Sequence, residues 1–321
     1  MDRIGLLVIA VVGVPLVLTG YIVLVESGLR LLPGRFAREI RPFLWIAPVI
    51  ALVTLFLVYP SIRTFVYSVS DSGGEQFVGL ANYQWLAESD TFWTAVRNNV
   101  LWVVLFTGLV LVFGLLLAVL TDRVRYEPIP KSLIFLPMAI SFVAAGVIWK
   151  FMLDYRPPGA PQTGLLNAAV TGIGGQPQPW LLDPPINNLF LIIVGVWVWT
   201  GFAMVLISAA LKAVPKEILE AARVDGAGEL RVFFSILIPL LSPTVAVVAT
   251  TLVIFALKAF DVVYVMTAGN YETQVLAYQM YQQLFSAGNL GRASAIAVIL
   301  LAAVIPVLII NVRRSNEQWV R

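Results

Sequence analysis

The 321-residue chain contains no cysteine and no histidine. That inventory excludes disulfide frameworks, Cys/His zinc sites, cysteine nucleophiles and Ser-His-Asp triads. Charge is also scarce: Asp, Glu, Lys and Arg make up 12% of the residues, against roughly 25% in soluble domains. The phosphate-cradling pattern G-x-x-x-x-G-K-[ST] is missing, so the chain has no ATP loop of that kind. A net charge of +3 makes nucleic acid an unlikely partner by composition. The alternation of apolar and polar residues that marks membrane β-barrels is absent as well.

What the chain does have is apolar length, with 60% of its residues hydrophobic. A helix needs about 20 consecutive apolar residues to cross a bilayer core. Seven stretches meet or nearly meet that requirement, at 4–25, 42–66, 98–121, 132–152, 185–211, 240–264 and 293–312. Lipid cannot satisfy free backbone groups, so each is expected to be helical. The expected fold class is all-α, a polytopic transmembrane helical bundle of about seven spans. The opening run, Ile4 to Val25, is longer than the 7 to 15 or so apolar residues of a cleaved signal. It reads as a retained transmembrane helix, followed to residue 41 by a basic linker.

The basic residues divide unevenly between the two sides of such a bundle. One side receives Arg30, Arg35, Arg38 and Arg41, then Arg123, Arg125 and Lys131, then Lys212, Lys216, Arg223 and Arg231, and last Arg313, Arg314 and Arg321. These are 14 of the 21 cations, and the positive-inside rule makes that side cytoplasmic. The expected topology therefore puts the N-terminus outside, and the C-terminus and the 212–239 connector inside. The opposite connectors differ in character. Residues 67–97 interleave acidic side chains with Phe77, Tyr83, Trp85, Phe92 and Trp93, and residues 153–184 are rich in Pro and Gly. Exposed aromatics on stiffened loops suit contact with another protein, although Trp and Tyr also anchor helices at the membrane interface.

The 212–239 connector is more charged than a simple reversal needs. Pro215 fits the first turn of a helix and Gly226 the position just beyond its end, with "PKEILEAARVD" making about three turns between them. Ile218, Ala221 and Ala222 would let another surface approach closely, while Glu217, Glu220 and Arg223 can pair across the helix. Pro239 and Pro243 then mark entry into the next span. The stretch reads as a short helix offered to a partner at the membrane surface.

These residues carry a resemblance. Glu220, Ala221 and Ala222, three residues, Gly226, nine residues, then Ile236 and Pro239 resemble the EAA loop of permease subunits in binding-protein-dependent ABC importers, with Ile238 where the family usually has Leu. The segments "FVGLANYQWL", "FWTAVRNNV", "FLPMAISFVAAGVIWKFMLDYRPPG", "NNLFLIIVGVWVWTGFAMVLISAALKAVPKEILEAARVDGA" and "LKAFDVVYVMTAGN" are similar to the sugar-transporting branch, of the maltose and alpha-glucoside type. The resemblance implies a type I ABC importer permease fold over residues 42–321, with residues 1–41 an additional N-terminal helix and linker. It implies a non-enzymatic subunit in the cell membrane of a bacterium or archaeon, forming the path for an alpha-glucoside such as maltose or trehalose. The implied partners are a second homologous permease, two copies of a cytoplasmic ATPase that uses ATP and Mg, and an extracellular sugar-binding protein, alongside membrane lipid. No cofactor or metal is expected on this chain. Glu220, Ala221, Ala222 and Gly226 are the implied ATPase-coupling residues.

Sugar recognition calls for hydrogen-bonding groups and aromatic faces inside the bundle. The candidates are Asn98 and Asn99, then Trp197, Trp199 and Thr200, then Lys258, Asp261 and Tyr264. Lys258 and Asp261, three apart, are expected to share a helical turn and to be able to pair. The alternative is an ATP-independent secondary transporter or channel for small polar solutes. Such proteins usually bury several membrane carboxylates or break helices at the midplane, whereas these spans are nearly free of charge until Lys258.

Overall fold

A computed structural model describes residue 5, residues 9–122 and residues 124–319. Ile4, Arg3, Arg123 and Arg321 lie outside the described residues, and of Arg313 and Arg314 only the helical backbone is described. The chain forms two compact units, residues 1–64 and 65–321.

The first unit holds α1 (Val14–Arg30) and α2 (Gly34–Val53). The helix continues past Val25, where the sequence placed the end of the span, and the linker shrinks to Leu31–Pro33. Pro33, extended at φ −55° and ψ 138°, cannot continue α1 and opens α2. Two contacts tie the pair: the Tyr21 hydroxyl donates to the Leu44 carbonyl, and Arg41 meets Glu26 at 3.0 Å. The helical run that begins at Gly34 extends to Ser68, through α3 (Tyr59–Ser68).

The second unit begins with α4 (Ala81–Glu88), α5 (Asp90–Leu101) and α6 (Thr107–Asp122). It continues with α7 (Pro128–Phe135), α8 (Phe142–Met152), α9 (Leu165–Gly172) and the long α10 (Ile186–Lys212). Then come α11 (Lys216–Val224), α12 (Glu229–Val232), α13 (Ile238–Leu257), α14 (Asp261–Met266), α15 (Leu276–Tyr281) and α16 (Leu290–Trp319). Among the described residues six helical runs are long and apolar enough to cross a bilayer, and seven if α7 and α8 form one bent span.

The most extensive packing is α10 on α6, and small residues permit it. A methyl added at Gly114 would come within 2.6 Å of Ala203 Cβ. One added at Gly201 would come within 2.6 Å of the Ile134 carbonyl oxygen, which lets α7 lie equally close to α10. Around this seam Val110, Ala118, Met204 and Ile207 are fully buried.

Two expected spans are interrupted. The 132–152 stretch turns through 99° between α7 and α8, because Ile140 is extended and Ser141 opens a new helix by accepting the Ala144 N–H at 3.2 Å. The 240–264 stretch stops at Leu257 and restarts at Asp261. The intervening Phe260, at φ −146° and ψ −59°, is not helical, and its ring stacks on Tyr264 at 5.3 Å.

The Pro- and Gly-rich 153–184 connector is ordered by one buried side chain. Asn167 Nδ2 donates to the carbonyls of Asp154 and Gln178, while its Oδ1 accepts from the Gln178 N–H and from Trp180 Nε1, all within 3.0 Å. Replacing Asn167 by Leu leaves all four groups without that partner, at about 1–3 kcal/mol for each one that stays buried. Asn167→Leu is therefore expected to lower the melting temperature of the purified protein and to admit protease cleavage within 153–184. Unchanged melting and protease resistance would show that the loop is held elsewhere.

Candidate functional site

The 212–239 connector folds as its residues require. α11 follows Pro215 directly, carries Glu217 in its first turn and Arg223 in its last, and so complements its own dipole at both ends. Its end is a Schellman motif: the Gly226 N–H meets the Arg223 carbonyl and the Ala227 N–H meets the Ala222 carbonyl, both at 3.0 Å. Gly226 sits at φ +81°, where a Cβ is disfavoured, although the space around it is open. Arg223 reaches forward to Glu229 at 2.9 Å, across the turn. This differs from the expected pairing within α11, and Glu220 has no ion-pair partner among the described residues.

No residue of α11 is buried. Ile218 is exposed, Val224 is 86% exposed and Leu230 is 76% exposed. Glu220, Ala221 and Gly226 are exposed and Ala222 is half-buried. The surface is thus a rigid, capped helix with uncovered apolar side chains and an available carboxylate. It is joined through Ala227 and Gly228 to a helical run of 29 residues, Glu229–Leu257. At 1.5 Å per residue that run is about 43 Å long.

The far end of the run borders two cavities. One, of about 200 Å³, is lined by Trp102, Phe142, Phe255, Ala259 and Val262 together with Lys258, Phe260 and Asp261. The other, of about 420 Å³, shares Lys258 and Phe260 and continues along Tyr281, Phe285 and Leu300. Between them stands an aromatic group: Tyr281 lies 5.4 Å from both Phe260 and Tyr264, and Tyr278 lies 6.2 Å from both. Lys258 and Asp261 face this region from opposite sides of the helix break. They do not share a turn, and no ion pair joins them among the described residues. The sequence at the break holds no Gly or Pro, which is why the interruption was not expected.

Other sequence candidates line neither cavity. Trp199 packs on Phe255 with the rings tilted and their centroids 4.4 Å apart, and Trp197 meets Trp149 edge-on at 5.8 Å. The indole N–H groups of Trp102, Trp149 and Trp199 are buried without a partner among the described residues. Thr200 gives its hydroxyl to the Val196 carbonyl of its own helix at 2.7 Å. The aromatic residues that sequence reasoning missed, Tyr278, Tyr281 and Phe285, lie three, then four residues apart. That helical stripe could have flagged them.

Asn98 and Asn99 act on backbone. Asn98 Nδ2 donates to the carbonyls of Glu272 and Gln274 at 2.6 and 2.7 Å. Asn99 Nδ2 donates to the Leu257 carbonyl at 3.2 Å and its Oδ1 accepts the Leu276 N–H at 2.8 Å, so it closes one helix and opens another. From α10, Asn187 donates to the Tyr271 carbonyl and Asn188 to that of Glu272. The loop so held contains Ala268, Tyr271 and Glu272 at positive φ. Such strain persists only where neighbours over-determine the conformation.

The comparisons with known proteins agree with this geometry. Residues 110–321 match the family described as "Binding-protein-dependent transport system inner membrane component". The chain is 47% identical to "Alpha-glucoside transport system permease protein AglF" of Rhizobium meliloti (strain 1021), over 88% of this chain and 85% of that protein. It is 49% identical to "Osmoprotective compounds uptake permease protein GgtC" of Synechocystis sp. (strain ATCC 27184 / PCC 6803 / Kazusa), over 86% of this chain and 99% of that protein. A solved "bacterial alginate ABC transporter in complex with alginate pentasaccharide-bound periplasmic protein" contains a chain that matches with a TM-score of 0.75, at 22% identity, over 87% of this chain and 94% of that one, a likeness of fold. A capped surface helix, a long helical run and a lined cavity are thus found in a chain that belongs to the family of inner-membrane components of binding-protein-dependent transport systems.

Proposed function

We propose that this multi-pass membrane protein is the permease subunit of an ATP-driven importer, forming the path for an alpha-glucoside handed over by an extracellular binding protein. The observation that carries the reading is α11: a capped helix with nothing buried and Glu220 available, joined to one helical run whose other end borders a cavity. ATP and Mg belong to two partner ATPase subunits, and a second permease completes the bundle. The ATPase receives α11, Glu220 engages a cation there, and Ala221 and Ala222 allow close approach. Closure of the ATPase pair then moves α11 and the run behind it as one body.

Sugar identity rests on the alpha-glucoside named for the Rhizobium relative. The smaller cavity supports a polar, hydroxyl-rich ligand, because aromatic faces stand beside Lys258 and Asp261 and the Trp102 indole N–H lacks a partner among the described residues. In this reading Lys258, Asp261 and Tyr264 touch the sugar, joined by Phe260 and Tyr281. Trp199 backs the lining residue Phe255, Trp197 packs on Trp149, and Asn98, Asn99 and Thr200 hold the frame. Residues 1–41 are the added segment, comprising α1, the Leu31–Pro33 linker and the first residues of α2, and the transport domain, 42–321, begins within α2.

Orientation is tested by cysteine labelling, since the chain has no cysteine of its own. Cysteine at Ser72 or Gly174 is expected to react with an impermeant reagent from outside, and cysteine at Ala227 only from inside. The reverse pattern would remove α11 from the ATPase side.

Function is tested in the reconstituted complex. Gly226→Val places a β-branched residue at positive φ, at about 1 kcal/mol or more, and is expected to lose ATPase subunits and uptake while still inserting. Glu220→Ala is expected to lose uptake as well. Asp261→Ala, by contrast, should keep the ATPase subunits and sugar-stimulated ATP turnover but lower uptake about tenfold, the scale of a lost hydrogen bond to a charged group. Normal uptake by both α11 variants would reduce that helix to a connector. Normal uptake by Asp261→Ala would move the sugar elsewhere.

A further inference from the structure

Beside the base of α11 lies a group of charges that the coupling contact does not use. Lys212, the last residue of α10, pairs through Nζ with Glu127 Oε1. Glu127 Oε2 takes Lys131 Nζ at 3.1 Å, and Lys131 Nζ also donates to the buried hydroxyl of Ser208, one turn before Lys212. In the sequence the two lysines served only to orient the bundle. In the fold they close on one carboxylate. Hydrogen bonds from Lys212 and then Lys131 hold that carboxyl below the usual range, so it is charged at neutral pH.

The two ends of this bridge lead to different places. Lys212 stands three residues before Pro215, where α11 begins. Glu127 stands immediately before α7, which turns at Ile140 into α8. The first residue of α8, Phe142, lines the smaller cavity and packs on Phe255 at 5.0 Å. Further along α8, Lys150 Nζ donates to the Val265 carbonyl of α14, the helix that opens with Asp261. One side of the cavity is therefore reached from α11 through α12 and α13, and the other through Lys212, Glu127, α7 and α8.

We infer that Glu127 is a positioning residue for transport: its bridge to Lys212 ties the start of α7 to the base of α11, so that both cavity walls move together when α11 is displaced. The inference rests on the coupling role proposed for α11 and adds a second route from it. Glu127 touches neither sugar nor ATPase in this account. Without its charge Lys131 and Lys212 are left as two neighbouring cations, and of this group only the hydrogen bond from Lys131 to Ser208 still joins α7 to α10.

The test is a double-mutant cycle on the complete reconstituted transporter with its sugar-loaded binding protein. Glu127→Gln and Lys212→Met are each expected to keep the ATPase subunits in the purified complex. Each should nevertheless reduce both uptake and the stimulation of ATP turnover by the loaded binding protein, by about fivefold or more. The double variant should lose no more than the worse single, and Lys212→Arg should retain transport. Lys212 is half exposed, so Lys212→Met carries the test if Glu127→Gln fails to insert. Normal coupling in either single variant, multiplied losses in the double, or release of the ATPase subunits would each overturn the bridge as a positioning device. The coupling role of α11 stands or falls separately on Gly226→Val.

Discussion

Inside a bilayer no backbone donor or acceptor can be left without a partner, because there is no water to take its place. The architecture of this protein depends on how that constraint is met wherever a helix stops short. The break after Leu257 survives because Asn99 takes the freed carbonyl. The loop before Leu276 survives because Asn98, Asn187 and Asn188 reach its carbonyls from two other helices. These four amides are buried, and they turn an irregular segment into a fixed one. The break so fixed lets Lys258, Phe260 and Asp261 line one cavity together.

The same constraint separates what moves from what does not. α10 is fixed to α6 by contacts too close for any side chain at Gly114, and in its first turn it holds the 268–276 loop through Asn187 and Asn188. α11 is the opposite case. It buries nothing and is shaped by its own Schellman cap, so its position is free to be set by whatever binds it. A stiff element with few contacts, attached to a long helix by Ala227 and Gly228, has the physical form of a lever.

Legibility in the sequence followed the range of the interactions involved. The helix α11 was legible because its determinants are local: Pro215 before it, the alternation of charge and small residues within it, and Gly226 at the one position needing positive φ. The spans were legible for the same reason. The break at 258–260 was not, because the side chain that satisfies Leu257 comes from Asn99, 158 residues away. Asn98 and Asn99 illustrate the matching difficulty at the site. An amide at the mouth of a span looks alike in sequence whether it serves ligand or backbone, and only the fold shows the carbonyls it meets. Glu127 was passed over because its partners belong to two elements and its own neighbours are unremarkable.

The central claim is that Glu229–Leu257 moves as one body, and an electron-spin distance measurement tests it most directly. Leu230 and Val247 are both exposed and lie 17 residues apart on the run, on either side of the π-helical stretch Phe233–Leu237 and of Pro243. Labels on cysteines at these sites should report backbone points about 26 Å apart. The account predicts one unchanged distance distribution in the nucleotide-free and ATP-trapped complex, while a second pair, Val247 with Phe151 of α8, shifts between the two states. A Leu230–Val247 distance that splits or shortens on ATP binding would show a hinge within the run and contradict the lever.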